Sequence, residues 1–202
     1  TSQAWQTANQ SVSDHFGDPD FVDVPTDQLT DVEANANSAE PASAQAALGE
    51  DSERAQIEAG NTTHVTVVDD SGLTVSMTNT LTSFWGGNES EYVGGFFLND
   101  QLSRFEAIDT PSNQPEPGRK SVSWSAPSLV LDDQGRVVMG IGTPGGHQIP
   151  NILTSVMIPW GLQDAPLQEA IDAPRHSLQD GVLAMEQEPS ADVAELIGQR
   201  GW

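Results

Sequence analysis

The sequence predicts an α+β protein, with strands pairing early in the chain and helices added outside them later. Three observations carry this. Thr62 to Asp70 and Leu73 to Leu81 are rich in β-branched residues and flank Asp70-Ser71-Gly72, so they read as adjacent antiparallel strands. Ser128 to Asp132 and Arg136 to Ile141 flank Asp133-Gln134-Gly135, a second hairpin signal with a glycine free to take positive φ. Ile149 to Trp160 places Ile149, Ile152, Leu153, Val156 and Met157 at helical spacing, and further helical patterns follow it. Strands in packed sheets with helices outside them indicate a layered fold.

Taken in order, residues 1–16 read as a short helix and Gly17-Asp18-Pro19-Asp20 as a turn. Leu29 and Val32 give a weak helical stripe between Asp27 and Ala36, and the Ala-rich stretch from Ser38 to Ala47 is also expected to be helical. Leu48 to Asn61 offers only Leu48 and Ile57 as large apolar groups and is expected to fold loosely on the surface. After the first strand pair, Phe84 to Asn88 is a loop, Gly95 to Asn99 a third strand and Pro111 to Gly118, with three prolines, another loop. Pro159 is expected to end or kink the Ile149 helix. Pro166 suits the first turn of a helix running to Ala173. Val182 to Gln187 reads as a strand, and Ser190 to Gln199 as a helix capped by Ser190, with Val193, Leu196 and Ile197 inward. The chain shows no internal repeat.

Charge dominates the composition. Thirty acidic residues against seven Lys plus Arg give a formal net charge of −23 over 202 residues. Such self-repulsion weakens a compact chain at low salt and is screened near molar salt. The acids are spread between hydrophobic runs rather than gathered in a tail, which favours a protein of a salt-accumulating organism. Nucleic acid is excluded as a partner, because its phosphates would be repelled. Cysteine is absent, which removes disulfides, thiolate chemistry and Cys-based metal sites. His64, His147 and His176 fit no ligand spacing, so neither metal nor cofactor is expected. No apolar run is long enough to span a bilayer, and the N-terminus has no signal-peptide pattern.

The front edge of the first strand is chemically distinctive. Thr62-Thr63 follows Gly60-Asn61, and a Thr hydroxyl becomes a useful nucleophile when a base lies beside it. The nearest base is the α-amine that Thr62 itself gains if the preceding peptide bond is cut. Thr-Thr at a strand start is, however, commonly a matter of strand preference alone. Thr80, on the returning strand, is close enough in a hairpin to hydrogen-bond a residue at the start of the first. Gly145-Gly146 precedes a helix; consecutive glycines let backbone N–H groups converge, and the helix N-terminus adds partial positive charge, as an oxyanion hole requires. A plain tight turn would look similar.

Thr-Thr-His-x-Thr-Val-Val-Asp from Thr62, Ser76 to Leu81, Gly95 to Gln101, Thr143-Pro144-Gly145-Gly146 and Asp172-Ala173-Pro174-Arg175-His176 occur in that order. Together these blocks resemble the γ-glutamyltransferase family of self-processing N-terminal nucleophile hydrolases. Phe16-Gly17-Asp18-Pro19-Asp20-Phe21 resembles the end of that family's large subunit. The resemblance implies a four-layer αββα sandwich, present in part. It implies residues 1–61 as the end of a large subunit and 62–202 as most of a small one, so that the rest of the large subunit would be a partner. It implies Thr62 as nucleophile and base, self-cleavage at Asn61–Thr62, Thr80 orienting the nucleophile, and Gly145 and Gly146 as oxyanion donors. His64 would be structural. The substrate would be a γ-glutamyl or related amide, with water, an amino acid or a peptide as acceptor. By resemblance the compartment would be periplasmic or extracellular; the charge equally fits a salt-accumulating cytoplasm.

Substrate recognition is where the chain departs from the family pattern. Asn99 and Gln101 match it. Thr82 stands where many members have Asn, and Ser123-Trp124-Ser125 replaces the Ser-Ser-Met segment that contacts the substrate carboxylate. Arg104 stands where typical members carry an Asp that pairs with the α-ammonium. Exchanging an anion for a cation there disfavours an ammonium by roughly 1 kcal/mol or more, on the order of tenfold in binding. Arg104 would favour a second carboxylate instead, which brings in an acylase for a dicarboxylic (glutaryl-type) acyl group. Its alternative is a surface salt bridge. The same departures also fit an unprocessed, inactive relative that serves as a binding protein.

Overall fold

The computed structural model describes residues 2–38, 61–87, 92–179 and 182–199. Within these the elements run α1 (Ser2–His15), α2 (Thr26–Leu29), α3 (Val32–Ser38), β1 (Thr62–Val68), β2 (Thr74–Thr80), β3 (Tyr92–Val93), β4 (Phe96–Phe97), α4 (Arg104–Ala107), β5 (Ser128–Leu131), β6 (Val137–Ile141), α5 (Ile149–Leu162), α6 (Leu167–Asp172), β7 (His176–Gln179), β8 (Val182–Met185) and α7 (Ala191–Gln199). Single 3₁₀ turns occupy Gln101–Ser103, Pro111–Asn113 and Gly146–Gln148. The strands pair as four antiparallel hairpins, β1–β2, β3–β4, β5–β6 and β7–β8. The mixture of helices and antiparallel sheets is the expected α+β composition. The Ala-rich stretch and the loose stretch before Asn61 lie, apart from Ser38 and Asn61 themselves, outside the described residues.

The chain divides into two compact units, residues 1–55 with 104–122 and 174–202, and residues 56–103 with 123–173. In the first, α1 lies against β7 and the Pro111–Asn113 turn. Among its described residues the most buried side chain is an amide. Asn113 is fully enclosed, its Nδ2 donating to the carbonyls of Arg104 (3.0 Å) and Ile108 (2.8 Å) and its Oδ1 accepting the Val122 N–H at 3.0 Å. A buried amide is tolerated because these bonds use both its donor and its acceptor ends. Asp18, buried in the Gly-Asp-Pro-Asp turn, accepts the Lys120 N–H at 2.7 Å and the Asp20 N–H at 3.2 Å. The Lys120 backbone N–H, with the Lys120 ammonium 3.3 Å away, holds the Asp18 carboxyl below its ordinary range.

Three expectations for this unit are corrected. The weak stripe from Asp27 to Ala36 is two helices, because Asp31 interrupts it: its carboxylate accepts the Ala34 N–H at 2.8 Å and so caps α3. The strand expected at Val182–Gln187 is shorter, Val182–Met185, and its partner β7 carries no alternating apolar pattern that would reveal it. Pro111–Gly118 is not wholly irregular; it opens with a 3₁₀ turn.

In the second unit β1 and β2 pair in full register from Thr62↔Thr80 to Val68↔Thr74. Asp69 sets the turn: its Oδ1 accepts Ser71 N–H (2.8 Å), Ser71 O–H (2.7 Å) and Leu73 N–H (3.0 Å). The Ser71 hydroxyl first, then these backbone donors, lower its carboxyl pKa. Alternation gives the hairpin two unlike faces. Thr62, His64, Thr66, Ser76, Thr78 and Thr80 line one, toward β6. Val65, Val67, Val75 and Met77 line the other and are 40–57% exposed. β5 and β6 pair with a bulge at Val130/Leu131. Helix α5 buries Ile149, Leu153 and Val156 and contacts α6.

Here too the sequence reading needs correction. The third strand is not Gly95–Asn99 but the pair Phe96–Phe97, hairpinned onto Tyr92–Val93 through Gly94-Gly95, both at positive φ. Helix α5 does not end at Pro159. It runs on to Leu162, since its buried side chains hold the turns before the proline, and the Pro159 carbonyl still accepts Gln163 N–H at 3.2 Å.

Candidate active site

Thr62 opens β1 and Thr80 closes β2, and the antiparallel register sets them opposite each other. Their hydroxyl oxygens are 2.8 Å apart, a hydrogen bond in which either can be the donor. Thr80 Oγ1 also accepts the Thr82 N–H at 3.0 Å, which leaves its own proton free for Thr62. Leu81 N–H donates to the Asn61 carbonyl at 3.1 Å, and Asn61 Nδ2 donates to the Thr82 carbonyl at 3.4 Å. Residues 80–82 therefore hold both sides of the Asn61–Thr62 peptide bond.

The chain turns sharply at this point. Thr82 has φ +70° and Trp85 φ +64°, left-handed values that a β-branched or bulky residue adopts only when its surroundings enforce them. At Thr82 the enforcement is visible: Oγ1 donates to Gln101 Oε1 at 2.8 Å. Gln101 N–H in turn donates to Asn99 Oδ1 at 2.9 Å. Asp100 N–H donates to the Leu81 carbonyl at 2.9 Å, and Ser83 O–H donates to the Asp100 carboxylate. One hydrogen-bonded chain thus joins Thr62, Thr80, Thr82, Gln101 and Asn99. Leu81, Ser83 and Asp100 belong to it as well, and the sequence reading missed all three. Ser83 carried no signal, Asp100 stood in the Gly95–Gln101 block without a role of its own, and the part played by Leu81 is a backbone one.

Gly145 (φ +140°) and Gly146 (φ +54°) stand outside that chain, in the turn before α5. A side chain at Gly145 would also meet Ile152 Cδ1 at 2.8 Å. The strand leading there crosses the polar face of the hairpin at close range. A Cβ on Gly140 would lie 2.5 Å from Thr66 Cγ2, and one on Gly142 2.1 Å from His64 Nδ1. From Thr66 to His64 the chain is heading toward the Thr62 end of β1 as it enters Thr143-Pro144-Gly145-Gly146. His64 is held by hydroxyls on both ring nitrogens, Thr78 Oγ1 at 3.1 Å from Nδ1 and Thr66 Oγ1 at 3.1 Å from Nε2.

Three further residues were singled out from the sequence. Ser123 and Trp124 occupy the irregular segment before β5, where Ser123 Oγ accepts the Ser125 N–H at 3.2 Å. Arg104 begins α4 in the other compact unit, half-buried, with its carbonyl engaged by Asn113.

The whole chain, 1–202, matches the family described as Gamma-glutamyltranspeptidase. The chain belongs to the gamma-glutamyltranspeptidase family. The capsule biosynthesis protein CapD proenzyme of Bacillus anthracis is 32% identical over 195 residues, covering 96% of this chain and 34% of that protein. A glutathione hydrolase proenzyme of Pseudomonas sp. (strain A14) is 34% identical over 191 residues, 87% of this chain and 32% of that protein. The acylase ACY 1 proenzyme of Pseudomonas sp. (strain SE83) is 32% identical over 147 residues, 71% of this chain and 26% of that protein. The crystal structure of the B. anthracis transpeptidase CapD superposes with TM-score 0.55 at 34% identity, covering 69% of this chain and 74% of that one. This gamma-glutamyltranspeptidase-family chain thus spans about a third of the length of the curated relatives it matches.

Proposed function

We propose that this chain carries the reaction centre of an amidohydrolase or acyltransferase that cleaves itself at Asn61–Thr62 and then works through Thr62. The observation that carries the reading is the 2.8 Å contact between the hydroxyls of Thr62 and Thr80, made in a chain whose relatives are named proenzymes. Once Thr62 has a free α-amine, that amine takes the hydroxyl proton while Oγ1 attacks the acyl carbon of a γ-glutamyl-type amide. Thr80 fixes the direction of Oγ1. Gly145 and Gly146 offer their backbone N–H groups to the negative charge of the tetrahedral intermediate. The amine returns its proton to the leaving nitrogen, and water or an acceptor amine resolves the acyl-enzyme.

Thr82, Asn99 and Gln101 form the substrate side of this site, with Ser123 and Trp124 completing it. Residues 1–61 then act as the end of a large subunit and 62–202 as most of a small one, inside a four-layer αββα sandwich that the rest of the large subunit completes. The test is N-terminal sequencing of the intact polypeptide after incubation in molar salt. A new terminus at Thr62, lost in Thr62→Ala, supports the reading; a chain that stays whole overturns it.

A second reading concerns the acyl group. Arg104 in place of an acidic residue, and the similarity to an acylase, favour a dicarboxylic acyl donor such as glutaryl over one with an α-ammonium. Hydrolysis of glutaryl and γ-glutamyl nitroanilides, compared as kcat/KM, decides between them.

A further inference from the structure

The Asn61 carbonyl oxygen accepts a hydrogen bond from the Leu81 N–H at 3.1 Å. That carbonyl is the one Thr62 must attack for self-cleavage. We propose that the Leu81 backbone N–H is the oxyanion donor of this first reaction, an assignment that rests on the reading of Thr62 as the self-cleaving nucleophile.

Three observations lead to it. The donor is already bonded to this oxygen at 3.1 Å before attack, and a hydrogen bond strengthens as its acceptor takes on negative charge. The residue before it, Thr80, grips the nucleophile, and the carbonyl of the residue after it, Thr82, accepts the Asn61 amide at 3.4 Å. One short segment therefore positions attacking oxygen, electrophilic carbon and developing charge together. The segment is itself braced, because the Leu81 carbonyl accepts Asp100 N–H at 2.9 Å and Thr82 is held to Gln101.

The chemistry balances with water as the only added reactant. Thr62 Oγ adds to the Asn61 carbonyl carbon, whose oxygen takes the negative charge under the Leu81 N–H. The hydroxyl proton passes to the Thr62 nitrogen, the C–N bond breaks, and an Asn61–Thr62 ester with a free α-amine remains. Water hydrolyses the ester, leaving an Asn61 carboxylate and the Thr62 hydroxyl.

The test deletes this one donor. Semisynthesis of the intact polypeptide with an ester in place of the Thr80–Leu81 amide removes the Leu81 N–H and leaves every side chain in place. The control is an ester that removes the Asp69 N–H, which bonds the Leu73 carbonyl at 3.1 Å at the far end of the same hairpin and touches no reacting atom. Cleavage is followed by mass, and folding by circular dichroism. The Leu81 ester is expected to slow cleavage on the order of 10²-fold, with the Asp69 ester within a few-fold of the parent. A conservative Leu81→Met change, which keeps the N–H, is expected to cleave far faster than the ester. Equal slowing by both esters, or parental rates in both, overturns the assignment. A parent that never yields Thr62 as a terminus overturns the nucleophile reading and this inference with it. A parent that cleaves in a Thr62-dependent way beside a Leu81 ester that cleaves equally fast overturns this inference alone.

Discussion

Gly142 lies against the imidazole of His64, so close that a Cβ at the glycine would stand 2.1 Å from Nδ1. The ring cannot swing away cheaply, because Thr78 and Thr66 hold its two nitrogens. Gly142→Ala is therefore expected to destabilise the chain by about 1–3 kcal/mol through overpacking. Urea unfolding measures it. His64→Ala in the same molecule should recover part of the loss, since the methyl then fills vacated space; a strictly additive pair would contradict the contact.

Thr80→Val keeps the strand shape and deletes the hydroxyl that meets Thr62. Self-cleavage is expected to slow on the order of 10- to 100-fold, since a small misplacement of the nucleophile suffices for such a loss. Thr80→Ser should retain most of the rate. The fraction cleaved against time on a denaturing gel reads both, and a Val variant as fast as its parent would remove Thr80 from the mechanism.

Asp18 offers a pH test. Its carboxyl is held below the ordinary carboxylate range, chiefly by the Lys120 N–H. A depressed folded-state value means stability that is present above the unfolded value of about 3.9 and is lost as pH falls through the folded value. Asp18→Asn should thus lower stability at neutral pH and flatten the acid side of the stability curve below about pH 4. Parallel curves for parent and variant would mean the carboxylate's charge contributes nothing there.

Salt should act through the net charge of −23. Raising ionic strength from 0.1 M to 1 M shortens the Debye length from about 10 Å to about 3 Å, so the melting temperature in KCl is expected to rise by several degrees. A flat response would show that the acidic residues do not repel one another strongly enough to matter.

Arg104→Asp is expected to shift preference toward a donor with an α-ammonium. The ratio of kcat/KM for γ-glutamyl over glutaryl nitroanilide should rise on the order of tenfold or more. No change in that ratio would place Arg104 outside the substrate site.

The Thr62–Thr80 contact was legible because hairpin arithmetic is simple. Asp70-Ser71-Gly72 marks the turn, and counting outward brings Thr80 opposite Thr62. The Asp133-Gln134-Gly135 hairpin and the helix from Ile149 were readable for the same local reasons. What stayed hidden lay in elements too short to show a period or in single hydrogen bonds. β3 and β4 are only two residues each, so Tyr92-Val93 and Phe96-Phe97 show no period, although the Gly94-Gly95 between them is a hairpin signal that was overlooked. Asp31 breaks a helix by a cap rather than by a proline. Leu81 bonds Asn61 through its backbone, and no side-chain pattern announces such a contact.

The strand pair that bears Thr62 turns its hydroxyls toward β6 and its valines outward. Its cohesion is thus drawn from directional bonds more than from oil-like burial, and little apolar surface is newly wetted when it opens. Since apolar exposure raises and polar exposure lowers the heat capacity of unfolding, this hairpin contributes only a shallow step. Chilling, which erodes hydrophobic cohesion first, should loosen it less than the α5 core.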